Sequence, residues 1–279
     1  MDLVLTPDNP CPPGAVVARI RAADGMALRA ARWHPEGRAR GTVTICTGRA
    51  EFIEKYFEVV GELLARRLAV VVFDWRGQGH SGRELDNSRK GHIDDFSLYE
   101  RDLEAISLQA LEPFCPKPWF ALGHSMGGAI LLGQSRAGRS PFDRLVLTAP
   151  MIDIAGLKRP RATRLLAETL DIVGFGAAFI PGGGATAHMT RAFEGNLFTS
   201  DEARYRRGAD IIAAASSLGL GDPTIGWINA AFRCMRAFEN PEFPLRTLTP
   251  TLAIGAGDDA VVSLPALERF AARLKIGRA

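Results

Sequence analysis

Residues 119–128 read Trp119-Phe120-Ala121-Leu122-Gly123-His124-Ser125-Met126-Gly127-Gly128, and Ala129-Ile130-Leu131-Leu132 follow. An apolar run, then Gly-x-Ser-x-Gly, then a helix-forming run is the context that holds a serine as a nucleophile. Small residues at Gly123 and Gly127 let the backbone turn sharply. The turn lifts Ser125 Oγ off a sheet and sets it at a helix N-terminus. The peptide N–H of Met126 is then free to bind a developing oxyanion. Gly-x-Ser-x-Gly alone often arises by chance; the flanking strand and helix patterns make it specific here.

The surrounding sequence repeats the alternation of strand and helix. Val16–Arg21 and Ala27–Trp33 read as a hairpin around the turn dipeptide Asp24-Gly25. Thr42–Cys46 is a β-branched strand, and residues 54–67 place Tyr56, Val59, Val60, Leu63 and Leu64 on one helical stripe. Ala69–Phe73 is a continuous apolar run, as expected of a strand covered on both faces. A second amphipathic helix is predicted over 95–110, strands over 119–122 and 145–148, and a helix over Met126–Arg136. This rhythm predicts an α/β class with a mostly parallel sheet and helices on both faces. It stops after Pro150, runs helical or irregular over 151–239, and resumes with a strand at 251–255 and a helix at 265–275. The predicted organisation is a core over 1–150, a helical cap or lid inserted over 151–239, and the second part of the core over 240–279.

Composition narrows the chemistry. Lys and Arg number 34 against 31 Asp and Glu, a net charge of +3, with the signs mixed along all 279 residues. That balance has no concentrated basic stripe, and a nucleic-acid partner is not expected. Two short basic stretches stand out, Lys158–Arg164 and Arg204–Arg207, and solvated faces or an anionic surface are the alternatives for them. The four cysteines are scattered without a CxxC pair, so free thiols in a reducing compartment are expected. The first residues lack a secretory leader's basic and apolar regions. The uncharged runs 118–135 and 172–190 are broken by Gly and Pro, so neither reads as a membrane span. The expected location is cytoplasmic, with peripheral attachment at the inner membrane as a variant. No metal motif and no dinucleotide loop is present, and no cofactor is called for.

Four stretches together resemble one family: Thr47–Tyr56 (Thr-Gly-Arg-Ala-Glu-Phe-Ile-Glu-Lys-Tyr), Asp74–Gly82 (Asp-Trp-Arg-Gly-Gln-Gly-His-Ser-Gly), the Ser125 turn, and Gly255–Val262 (Gly-Ala-Gly-Asp-Asp-Ala-Val-Val). The chain resembles the α/β-hydrolases of the lysophospholipase L2 and monoacylglycerol lipase type, also called serine aminopeptidase-like. Gly221–Trp227 is similar to the end of that family's cap. The Gly-Arg-x-Glu and Arg-Gly-Gln-Gly forms tilt the likeness towards the lysophospholipase L2 branch. The resemblance implies an α/β-hydrolase fold and a serine ester hydrolase of small amphiphilic lipids. It also implies a second oxyanion donor at the N–H of Arg49 and an orienting role for Glu51. Thr47 stands where relatives often have His. The alternative for Glu51 is a carboxylate favoured at a helix N-terminus.

The triad acid is expected just past a late strand, in the order Ser, acid, His. Asp258 and Asp259 both qualify, and the resemblance favours Asp259. No histidine follows either: His34, His80, His92, His124 and His188 all precede the acid. A last strand and helix are missing with it, so the base is expected beyond residue 279 and these residues alone are expected to be inactive. His124 neighbours Ser125 but points away in a turn of this kind. A non-catalytic binding protein that has lost its histidine, or a general esterase, are the other readings. Head group, chain length and oligomeric state leave no mark on the sequence.

Overall fold

The computed structural model describes residues 2–274. Its seven strands form one sheet: β1 (Val16–Arg21), β2 (Ala27–Trp33), β3 (Thr42–Cys46), β4 (Ala69–Phe73), β5 (Trp119–His124), β6 (Arg144–Thr148) and β7 (Thr251–Ile254). Their order is β1-β2-β4-β3-β5-β6-β7. The first two strands form the expected hairpin and pair antiparallel, and β2 pairs antiparallel with β4. From β4 onward every pairing is parallel. Every residue of β3 and β4 is buried, which accounts for their unbroken apolar or β-branched runs.

Alternate residues of these strands feed opposite layers, as the two-residue period of a strand requires. Val70, Val72, Val43 and Ile45 meet α1 (Phe57–Ala65) through Phe57 and Val60. Val71, Phe73 and Cys46 face the other layer, built from α2 (Ser97–Ile106), α3 (Met126–Arg136) and α8 (Leu264–Ala271). The stripe predicted over 54–67 begins in a tight 3-10 turn, Ile53–Tyr56, before α1 proper. The predicted last helix is observed as Leu264–Ala271, and Lys275 lies outside the described residues.

Between β6 and β7 the chain builds α4 (Pro160–Leu170), α5 (Glu202–Ala214), α6 (Ile225–Glu239) and α7 (Glu242–Arg246). Thr224 caps α6, accepting from the Trp227 N–H at 3.2 Å, and Asp201 caps α5, accepting from the Arg204 N–H at 3.0 Å. Trp227 Nε1 donates to Tyr99 Oη at 3.2 Å and so fastens α6 to α2. Arg204 and Arg207 both bond Glu58 on α1, fastening α5 to the core. Their hydrogen bonds hold the Glu58 carboxyl at about 2.

Candidate active site

Ser125 links β5 to α3 with φ +49° and ψ −113°, a strained conformation for a residue with a side chain. Its N–H donates to Thr148 O at 3.1 Å, and its carbonyl accepts from Ala129 and Met151. Among the described residues no group is hydrogen-bonded to its Oγ. The glycines around it are explained by contact rather than by turn chemistry alone. A Cβ at Gly127 would overlap the Cys46 carbonyl at the end of β3, and one at Gly123 would lie 2.9 Å from Gly128 Cα. A Cβ at Gly128 would lie 2.9 Å from Pro150 Cβ. Helix α3 therefore rides directly on the sheet edge.

That packing yields a contrast in substitutions. Gly127→Ala is expected to cost about 3 kcal/mol, the upper range for overpacking, because the obstacle is backbone. Gly61→Ala on α1 has open space around its Cβ and is expected to stabilise by about 0.5–1 kcal/mol. Urea denaturation of both variants checks the pair; equal effects would contradict the packing account.

The loop after β3 reaches Ser125 because β3 and β5 pair in register, Cys46 against Gly123. Its N–H groups are spent in a pattern. Gly48 donates to Glu51 Oε2 at 2.5 Å, Ala50 to Gln78 Oε1 at 3.2 Å and Ile53 to Asp74 Oδ1 at 3.0 Å. Arg49 N–H, between two occupied neighbours, and Met126 N–H, at the start of α3, make no hydrogen bond among the described residues. These are the two donors expected for an oxyanion. Ala50 takes φ +61°, so the loop is strained and must be braced.

Glu51 and Gln78 supply the brace. Glu51 is buried, accepts from Tyr56 Oη at 2.5 Å, and pairs with Lys55. Burial pushes its pKa up, but Lys55, His124 and the two hydrogen bonds outweigh that and hold it at about 2. Gln78 donates to Gly48 O at 2.8 Å and Glu51 O at 3.1 Å. In the sequence Gln78 carries only the Arg-Gly-Gln-Gly likeness and no role of its own. Its pattern of partners exists only once the Asp74–Gly82 loop folds beside the β3 loop.

Asp259 follows β7 at the same carboxyl edge of the sheet. Its Oδ1 accepts from the N–H groups of Val261 and Val262 at 2.8 and 2.9 Å, whereas Asp258 is exposed. Val262 bridges Ile154, and Ser263 N–H donates to Asp153 O, so the acid-bearing loop is tied to the start of the insertion. The histidines are engaged elsewhere. His124 Nδ1 faces Thr148 O and Oγ1, and its Nε2 lies 3.8 Å from Glu51. His80 sits between Arg29 and Ser217, and His92 between Thr224 and Asp94. His188 packs on Phe198, and burial lowers its pKa to about 4. His34 is exposed.

The basic stretches differ from one another. Arg204, Arg206 and Arg207 are all paired with carboxylates, and so is Arg164, with Glu239 and Asp153. Lys158, Arg159 and Arg161 remain exposed.

Three kinds of comparison bear on this arrangement. The family model described as serine aminopeptidase, S33, matches residues 37–278. Lysophospholipase L2 of Escherichia coli (strain K12) is 30% identical over 258 residues, covering 91% of this chain and 73% of that protein. A probable lysophospholipase L2 of Haemophilus influenzae is 29% identical over 241 residues, covering 85% and 74%. Among solved structures, a soluble variant of monoglyceride lipase from Saccharomyces cerevisiae, in complex with a substrate analog, superposes with a TM-score of 0.71. It is 20% identical, covering 92% of this chain and 82% of that one.

Proposed function

The chain belongs to the serine aminopeptidase S33 family and has the α/β-hydrolase fold, and from that premise we propose that it is a serine carboxylic-ester hydrolase releasing fatty acid from lysophospholipids or monoacylglycerols. The observation that carries this is the junction at Ser125: a strained serine at a helix N-terminus beside the uncommitted N–H groups of Arg49 and Met126. Ser125 Oγ attacks the acyl carbonyl, and the two N–H groups hold the oxyanion. The serine proton passes to a general base, for which Asp259 is the proposed orienting acid, and is returned to the leaving alcohol; water then releases the acid from the acyl-enzyme. The names of the relatives support a lipid ester as substrate.

No histidine follows Asp259 in residues 1–279, and none of the five present bonds Ser125 Oγ. Residues 1–279 alone are therefore expected to show no turnover. The engagement of His80, His92 and His124 by partners other than Ser125 favours a second reading, a binding protein with a hydrolase fold. A fluorophosphonate probe and acyl release from lysophosphatidylcholine, applied to the protein as its gene encodes it, separate the two. Labelling of Ser125 with turnover supports the hydrolase; silence in both supports the binding protein.

The inserted helices are the proposed lid, and their outer surface is the proposed contact with a lipid surface. Leu165, Leu166, Ile172, Val173 and Phe175 are each exposed, Ile172 at 78%, and the exposed Lys158, Arg159 and Arg161 precede them in the chain. Exposed apolar side chains and cations on one inserted segment suit an anionic bilayer surface. Among the described residues no helix is long and apolar enough to cross a membrane. Replacing the three exposed cations by Gln is expected to weaken binding to phosphatidylglycerol vesicles about 100-fold at low salt, from about 1 kcal/mol per cation. Sedimentation with these vesicles checks it; an unchanged partition would leave the cations as a solvated face.

A further inference from the structure

The guanidinium of Arg49 is a charge that the proposed reaction does not use. Its Nη2 donates to Gly221 O at 3.0 Å, and its Cζ stands 5.1 Å from the centre of the Trp227 ring. Nε is sealed from solvent without an acceptor, and Nη1 donates to no group among the described residues. No carboxylate there forms an ion pair with it. Arg49 is half-buried, whereas the fully buried arginines are paired: Arg29 with Glu54 and Asp74, and Arg76 with Asp24 and Asp102. Acids near Arg49 are committed elsewhere. Asp222 is held by Arg191 at 2.7 Å and the Gly184 N–H at 2.9 Å, and Glu51 by Lys55.

The excess of positive charge extends along the seam between loop and insertion. The carbonyls of Ser217, Gly219 and Gly221 each accept from an arginine, Arg83, Arg89 and Arg49 in turn. A carbonyl offers only a partial charge, and neither Arg83 nor Arg89 has a carboxylate partner among the described residues. His188, the nearby titratable group of the insertion, is neutral at physiological pH because burial disfavours its charged form. Burial brings Arg49 down to about 10, so it stays a cation at neutral pH. Tyr99 and Asp222 offset only part of the desolvation of this half-buried cation, and an anionic ligand group would offset more of it.

The position of this cation gives it meaning. Arg49 N–H is one of the two donors left uncommitted at Ser125, so the guanidinium stands one side-chain length from the acyl carbonyl. In a lysophospholipid the phosphodiester lies one glycerol unit from the ester, whereas a monoacylglycerol has only a hydroxyl there. We propose that the Nη1 end of Arg49 is an anion subsite for the substrate's phosphodiester, and that it separates lysophospholipids from neutral monoacylglycerols. The planar fork of a guanidinium suits phosphate oxygens, and such charge-assisted bonds are stronger than neutral ones. This rests on the reading of Ser125 as the reacting residue.

The test uses ether lipids, which no esterase cleaves, so it is independent of turnover. Binding of 1-O-alkyl-lysophosphatidylcholine and of 1-O-alkylglycerol with the same chain is measured by calorimetry. The wild-type protein is expected to prefer the phospholipid about tenfold or more, from one charged hydrogen-bonded group. Arg49→Gln is expected to bring the ratio within about threefold, with Arg49→Lys between, as loss of one charged bond and retention of a point charge predict. Arg49→Met, which keeps the stem against Trp227, replaces Arg49→Gln if that variant does not fold. An unchanged ratio, or equal loss of both ligands, would make Arg49 structural glue and overturn the subsite. Inorganic phosphate binding as tightly as the phospholipid would make it a free-phosphate site and overturn the head-group assignment. Failure of Ser125 to react would show in the probe assay on the wild-type protein, whereas failure of the subsite shows in the ratio of ether-lipid affinities.

Discussion

Ser125→Ala is expected to lower ester hydrolysis by about six powers of ten, the scale on which a triad serine acts, in the protein as its gene encodes it. The fold should survive, because alanine keeps the backbone contacts of position 125 with Thr148, Ala129 and Met151. The same site carries a second, structural expectation. Ser125 sits at φ +49°, where a side chain is strained by about 1–3 kcal/mol and glycine is not. Ser125→Gly should therefore be more stable than Ser125→Ala by about 1 kcal/mol while equally inactive. Release of p-nitrophenol from short esters and chemical denaturation of both variants provide the measurements. Activity within tenfold of the wild type would remove Ser125 from the chemistry. Equal stabilities would show that the turn is not strained.

The largest expected loss of stability comes from Arg29→Met. Arg29 on β2 is 3% exposed and bonds Glu54 Oε1 and Oε2 at 2.7 and 2.8 Å and Asp74 Oδ2 at 2.7 Å, while both acids are fully buried. Removing the cation leaves two uncompensated carboxylates in the core, a change that typically costs about 3–5 kcal/mol. Burial already raises the Asp74 pKa against the pull of Arg29, and without Arg29 it must rise further. A folded-state pKa raised above the unfolded value contributes stability below the unfolded pKa and loses it as pH rises through the folded one. The variant is therefore expected to be less impaired at pH 5 than at pH 8. Urea denaturation at both values tests it. A loss under 1 kcal/mol, or a larger loss at pH 5, would contradict the account. The effect would also reach the active site, since Asp74 braces the β3 loop through Ile53 N–H and the next loop through His80 N–H.

The strands and the reactive turn were readable because each is a local pattern. The runs Thr42–Cys46 and Ala69–Phe73 are apolar or β-branched throughout, and they became the two central strands without shift of a residue. Val16–Arg21 and Ala27–Trp33 did the same around Asp24-Gly25. The helix of residues 54–67 was placed correctly but began late, because a 3-10 turn and an amphipathic helix share their first apolar positions. Arg164, in the basic stretch Lys158–Arg164, is paired with carboxylates in the fold. Its partners Glu239 and Asp153 lie 75 and 11 positions away, and no local pattern reports them.

The sequence alone determined the α/β alternation, the position of Ser125 between a strand and a helix, and the small residues at 123 and 127 that its sharp turn needs. These follow from side-chain period and steric size over a few neighbouring residues. The tertiary structure alone decided the uses of polar groups. It alone gives Glu51 and Gln78 the N–H groups on either side of Arg49, leaves the Arg49 N–H uncommitted, and strands the Arg49 guanidinium without a carboxylate. The reason is physical. A hydrophobic residue is buried by any apolar neighbour, so its pattern suffices. A hydrogen bond or an ion pair needs one particular partner at one distance and angle, and the fold brings Gln78 to Ala50 and Gly221 to Arg49 from 28 and 172 residues away.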